Sequence, residues 1–152
     1  MDRYAYPATL ETDEDGRTVV TFRDFAGAHT DGATHDEALW EARDCLREAV
    51  MARLRETGGI PAPSQPGPDD EVVPVPLRAA AKAALIAAAK ARGVGPRALA
   101  RQLGCDAKEA HRLLSPEEPS KADRLDDALA AIAGPMGVFG TIEPVGRQTE
   151  RA

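Results

Sequence analysis

Aromatic residues are scarce in this chain, at 4% of 152 positions. Any core must therefore be built from Leu, Val and a large share of Ala. Cysteine is almost absent: Cys45 and Cys105 lie far apart, outside any CxxC pattern. That spacing supports neither a zinc site nor a disulfide framework, so reduced, buried thiols are expected. The three histidines, His29, His35 and His111, have no second ligand at helical spacing, so no metal is expected. No apolar run approaches the ~20 residues of a membrane span. The first residues, MDRYAYPATLETDED, lack the basic-then-apolar order of a signal peptide, and a cytoplasmic chain is expected. Positive charge is also in deficit, with 19 basic against 25 acidic side chains and a net charge of −6.

That deficit is unevenly spread. Residues 1–71 carry 7 basic and 16 acidic side chains, and residues 72–152 carry 12 basic and 9 acidic. The front is thus at −9 and the back at +3. Such asymmetry suggests two units with different partners: a basic protein for the front and phosphates for the back.

The back is organised around GPRALARQLGCDAKEAHRLL, Gly95 to Leu114. Gly95 suits an N-cap and Pro96 the first helical position, where no N–H is needed. Val94 can staple onto Leu99. Gly104 ends this helix at Leu103. Asp106 caps a second helix, Ala107 to Leu114, and Glu109 completes a capping box. Leu99, Leu103, Cys105, Ala110 and Leu113 can share one core, and Ala100 permits close approach. This is the pattern of a helix-turn-helix. Its second helix would present Ala107, Lys108, His111 and Arg112 to base edges or phosphates, with Arg97 on the preceding helix. An ordinary helical hairpin in a small bundle is the plainer alternative. Around it, an alanine-rich helix is expected from Pro76 to about Arg92. A last helix, capped by Ser120 with Asp123, should run to about Ala133 with Leu125, Ala128, Leu129 and Ile132 inward. The tail beyond Gly134 is expected to be mobile, with Val138-Phe139 free to pack on a second subunit.

In the front, Arg3 to Thr12 reads as a strand in which Pro7 demands an edge or a bulge. Asp13 to Gly16 is a turn and Arg17 to Phe22 a second strand. A short third strand covers Ala28 to Asp31. Thr34 and Glu37 form a capping box for a long helix. On it Ala38, Leu39, Ala42, Leu46, Ala49, Val50 and Leu54 make one apolar stripe, and Gly58-Gly59 stops it. Ile60 to Asp70, rich in Pro and Gly, cannot be regular structure. Glu71 to Val75 returns to the sheet as an edge strand that tolerates Pro74. One helix covers one face of so small a sheet, which leaves the other face, or an edge, for a partner.

The stretch TFRDFAGAHTDGATHDEALWEARDCLREAVMARLRETGGIPAPS, Thr21 to Ser64, resembles the core of HicB-type antitoxins. The matching features are Asp24-Phe25-x-Gly27 after a strand, Gly32-x-Thr34 at the helix start, Glu37-Ala38 and Ala42 on the helix, and Gly59-Ile60-Pro61-x-Pro63-Ser64 after it. LARQLGCDAKEAHRLLSPEEPSKADRLDDALAAI is similar to the helix-turn-helix that some members carry; Cys105 stands where a branched aliphatic is more usual, and Asp106 where Ser or Thr is.

The resemblance implies an α+β chain. Residues 1–76 form a partial ribonuclease-H-like β-β-β-α-β domain without catalysis. Residues 77–134 form a helix-turn-helix domain, and residues 135–152 a flexible tail. It implies binding and neutralisation of a small basic HicA-like toxin that cleaves mRNA, repression of the shared operon through operator DNA, and a homodimer or tetramer. No cofactor and no catalytic residue are expected, and the toxin-binding residues are left unassigned. Two rivals remain. One is an enzyme whose nearest carboxylates would be Asp13, Glu14, Asp15 and Asp24, although Asp13 to Asp15 read as a solvated turn and the sheet is too short for a paired-metal site. The other is an orphan HicB-like interaction module whose back domain only dimerises.

Overall fold

The computed structural model describes residues 4–134. It runs β1 (Ala5–Thr12), β2 (Thr18–Phe22), β3 (His29–Gly32), α1 (His35–Thr57), β4 (Glu71–Pro74), α2 (Leu77–Arg92), α3 (Pro96–Leu103), α4 (Ala107–Leu114) and α5 (Ala122–Ala133). The order is α+β: a four-stranded sheet crossed by one helix, then a helical region. The expectations for the tail and for Val138-Phe139 lie outside the described residues.

The sheet is antiparallel throughout, in the order β3-β2-β1-β4. Alternation sends Tyr6, Ala8, Val20, Phe22 and Val73 to one face, where they pack against Ala38, Ala42, Leu46, Val50 and Leu54 of α1. Thr34 caps α1 by accepting the Glu37 N–H at 3.2 Å. The Glu37 carboxylate reaches back to the Ala33 N–H at 2.8 Å, one residue beyond the expected box partner. At Gly32 the sheet meets this helix so closely that a Cβ would stand 2.3 Å from the Ala38 backbone nitrogen. Only glycine fits that crossing.

Pro7 is a correction. β1 is flanked on both sides, so it is not an edge strand. The register removes the conflict. The Tyr4 carbonyl accepts from Val75 N–H, so by alternation the polar groups of Pro7 face the β2 side. The β1–β2 ladder begins only at Ala8 opposite Phe22, so the missing N–H of Pro7 lies just past its end.

The segment between α1 and β4 is a strap tied to the sheet by polar groups. Tyr6 Oη donates to the Pro61 carbonyl at 2.6 Å, with its ring edge-on to Phe25 at 4.7 Å between centroids. Burial, and then the nearby Asp24 charge, push the Tyr6 phenol up to about 12. Asp24 accepts both the N–H and the hydroxyl of Ser64. Thr9 Oγ1 donates to Asp70, which also pairs with Arg23.

The helix α2 serves two cores. Ala79 and Ala83 complete the sheet–helix core, while Ala84, Leu85 and Ala89 belong to a second one with Leu99, Ala110, Leu113, Leu125, Ala128 and Ile132. Helix α5 begins one residue later than its expected cap: Lys121 occupies the N-cap without a side-chain bond, and Ser120 is engaged elsewhere. Both cysteines are half-buried and free rather than fully buried; burial pushes the Cys45 thiol up.

Candidate nucleic-acid interface

Two eight-residue helices, α3 and α4, form the candidate surface. Gly104 takes φ +64° and ends α3, and the Cys105 N–H then reaches the Ala100 carbonyl at 3.1 Å. That left-handed step turns the chain within three residues. Asp106 caps α4 by accepting the Glu109 N–H at 2.7 Å. The Glu109 carboxylate does not close the expected box. It accepts from Arg124 Nε of α5 at 2.6 Å, and Arg124 also holds Asp127 at 2.8 Å. Leu99, Ala100, Ala110 and Leu113 are buried where the two helices meet the bundle.

The sequence-predicted residues separate into three groups. Arg97, Ala107 and His111 line one shallow groove between α3 and α4, together with Gly95, Pro96, Ala98 and Arg101. Lys108 is exposed beside that groove without lining it. Arg112 is exposed as well, but its Nε lies 3.1 Å from Glu118 of the α4–α5 loop. Among the described residues, the ion pairs of the helical region involve only Arg112 and Arg124. Arg97, Arg101 and Lys108 are therefore left without carboxylate partners, which is what a phosphate-binding surface requires. Arg101 is not among the expected residues, because a helix-turn-helix pattern points to the early residues of its second helix. The signal was its spacing of four from Arg97, which places both on one face of α3.

Behind α4 lies Lys82 of α2, at 4% exposure the one buried charged residue among the described residues. Its ammonium donates to the carbonyls of Arg112 at 2.8 Å and Leu113 at 3.1 Å, and to Ser120 Oγ at 2.6 Å. The carbonyls belong to the last turn of α4, where the Ser115 N–H also reaches the Arg112 carbonyl at 3.2 Å, and which carries the negative end of the helix dipole. Desolvation lowers the Lys82 amine to about 8, against the opposing pull of the Glu118 charge. No sequence pattern marked this residue: it is one Lys among the alanines of α2.

The carboxylates weighed for catalysis have structural roles or stand in the turn. Asp13 accepts the N–H groups of Asp15 and Arg17, which closes the β1–β2 turn, and Asp24 holds Ser64. Among the described residues, no group of three His, Cys, Asp or Glu side chains is placed to hold a metal ion. No helix of the described residues is long and apolar enough to cross a membrane.

The face of the sheet turned away from α1 is a second open surface. Thr9 of β1, Val19 and Thr21 of β2 and Val72 of β4 share it by register, while Pro7, on the same face, is fully buried. Val72 is 45% exposed.

Comparison with known proteins bears on both surfaces. Residues 5–84 match a family model described as a HicB-like antitoxin of bacterial toxin–antitoxin systems. Antitoxin HicB of Escherichia coli (strain K12) is 32% identical over 127 residues, which span 84% of this chain and 92% of that protein. Antitoxin HicB 2 of Photorhabdus laumondii is 35% identical over 127 residues, 84% of this chain and 89% of that protein. These alignments are longer than the family match, so the likeness extends beyond the sheet and α1 into the helical region.

Proposed function

Because the chain belongs to the HicB-like antitoxin family of bacterial toxin–antitoxin systems, we propose that it neutralises a small HicA-like mRNA-cleaving toxin and represses its own operon. In this reading residues 1–76 hold the toxin and residues 77–134 hold operator DNA, with α2 shared between the two cores. A homodimer or tetramer would place two copies of α4 on successive half-sites, the usual geometry of helix-turn-helix repressors.

The observation that carries the DNA reading is the groove between α3 and α4. It is lined by Arg97, Arg101 and His111 and flanked by Lys108, and among the described residues no carboxylate neutralises any of the three Arg and Lys cations. Ala107 leaves room for a base edge beside it. The charge asymmetry supports the toxin reading, since a front half at −9 suits a basic, RNA-binding partner.

A second reading has its own support. Arg112 is paired with Glu118 and α4 carries Glu109, which suits an interaction module without specific DNA binding. A gel-shift titration of the full chain on its own upstream DNA at two salt concentrations separates the readings. Specific binding that weakens with salt supports the repressor. Absence of binding, with and without the product of a neighbouring small basic reading frame, supports the interaction module.

A further inference from the structure

A buried ammonium is costly unless every donor is matched, and an apolar side chain of similar length is often the more stable choice. Lys82 meets that condition: its three donors face three acceptors, two of them the carbonyls of Arg112 and Leu113. Helix α4 is short, and at its C-terminal end no side chain of its own closes the last turn. Its other side-chain tie among the described residues to a neighbouring helix is the Glu109–Arg124 pair, one turn earlier. From α5, the bundle core receives Leu125, Ala128, Leu129 and Ile132, none of them titratable. From α1, the helix α2 meets apolar residues of the sheet–helix core. The charged groups at the Lys82 corner are Glu118, the Arg112 guanidinium bound to it, and the exposed Arg78 one turn earlier on α2.

We propose that Lys82 is a positioning residue for the reading helix: its ammonium clamps the last turn of α4 to α2 and the α4–α5 loop, and so sets how Lys108, His111 and Arg112 are presented. This rests on the DNA reading of α3 and α4. The clamp acts on backbone carbonyls, so it fixes the depth and rotation of α4 without using any side chain that faces outward. The third acceptor, Ser120, makes the clamp depend on the loop that also supplies Glu118.

The test uses the full chain, with duplex DNA from immediately upstream of its gene as probe. Amide exchange of residues 110–115 without DNA, DNA affinity and thermal unfolding are measured for the wild type, Lys82→Met and Lys82→Arg. Lys82→Met is expected to keep the melting temperature within a few degrees, to speed exchange in the last turn of α4 about tenfold and to weaken DNA binding about fivefold. Lys82→Arg, which keeps the charge and the donors, should restore part of both. Unchanged exchange and affinity in a folded Lys82→Met overturn the proposal. So does a general loss of protection with a large fall in melting temperature that Lys82→Arg does not restore. If Lys82→Met does not fold, Ser120→Ala replaces it: the same changes at smaller size support the clamp, and no change overturns it. If the wild type itself binds no DNA, the reading of α3 and α4 fails, while the exchange data still decide whether Lys82 holds α4.

Discussion

One carboxylate oxygen of Asp24 accepts both the backbone N–H of Ser64, at 3.0 Å, and its hydroxyl, at 3.1 Å, across forty residues of chain. This pair, with the Tyr6–Pro61 bond, explains why Asp24-Phe25 and Pro61-x-Pro63-Ser64 occur together. They are the two halves of one fastening between the bend after β2 and the strap that leads to β4. Asp24→Ala removes a charged acceptor from a half-buried site and leaves two donors unpaired. It is expected to cost about 2–3 kcal/mol in denaturant unfolding, with Ser64→Ala costing about 1 kcal/mol. Toxin binding by Asp24→Ala should persist at temperatures where the variant is folded, as checked by titration with the purified toxin.

Gly32→Ala should be more severe. The added Cβ would meet the backbone nitrogen and Cα of Ala38, and neither can move without shifting α1 on the sheet. A cost of about 3 kcal/mol or more is expected, by the overpacking mechanism. Gly27→Ala is the control. A Cβ there meets nothing within 4 Å, and only its φ of +77° penalises the change, for about 1–2 kcal/mol. Equal costs for the two would show that β3 and α1 are not in such close contact.

The expectations from sequence succeeded where local chemistry and packing agree. Gly95-Pro96, Gly104 and Asp106 fix the ends of α3 and α4 through backbone requirements that any environment must respect, and both helices lie where these residues put them. The stripe on α1 likewise named its own buried face, because a long helix on a sheet has one way to hide its apolar residues. Expectations failed where a side chain had two possible partners. Ser120 and Glu109 both have good capping chemistry, but Lys82 and Arg124, distant in sequence, take them instead. Arg112 has the composition of a base reader, yet its pairing with Glu118 depends on where the α4–α5 loop returns. Pro7 signalled an edge that β1 does not occupy, since strand order is not written in the residues of β1. The open face of the sheet gave no residue-level signal of its partner.

The depressed amine of Lys82 gives a pH dependence of definite sign. Folded, the group loses its proton near 8, whereas in the unfolded chain it does so near 10.5. Between these values the unfolded state binds more protons, so stability rises with pH. The full effect is on the order of 3 kcal/mol. Tyr6 acts in the opposite sense, but only above pH 10, because its phenol is raised to about 12 in the folded state. Urea unfolding at pH 7.5, 8.5 and 9.5 isolates the Lys82 contribution. The wild type should gain stability over this range relative to Lys82→Met; parallel curves for the two proteins would show that the amine is not desolvated.

Substitutions on the candidate interface should sort by whether a cation is already neutralised. Arg97→Ala, Arg101→Ala and Lys108→Ala each remove an unpaired charge. Each is expected to weaken binding to upstream DNA by about 1 kcal/mol or more and to lower the salt slope by about one. Arg112 differs, because DNA must compete with Glu118 for its guanidinium. Arg112→Ala should therefore cost less than Lys108→Ala. Glu118→Gln, which releases the guanidinium and removes a negative charge from the DNA side, should tighten binding about two- to fivefold. The double variant Glu118→Gln/Arg112→Ala tests the cause: if the gain comes from freeing Arg112, most of it vanishes when Arg112 is absent. A gain that survives in the double variant would assign it to general repulsion between Glu118 and phosphate, and would leave Arg112 outside the reading surface.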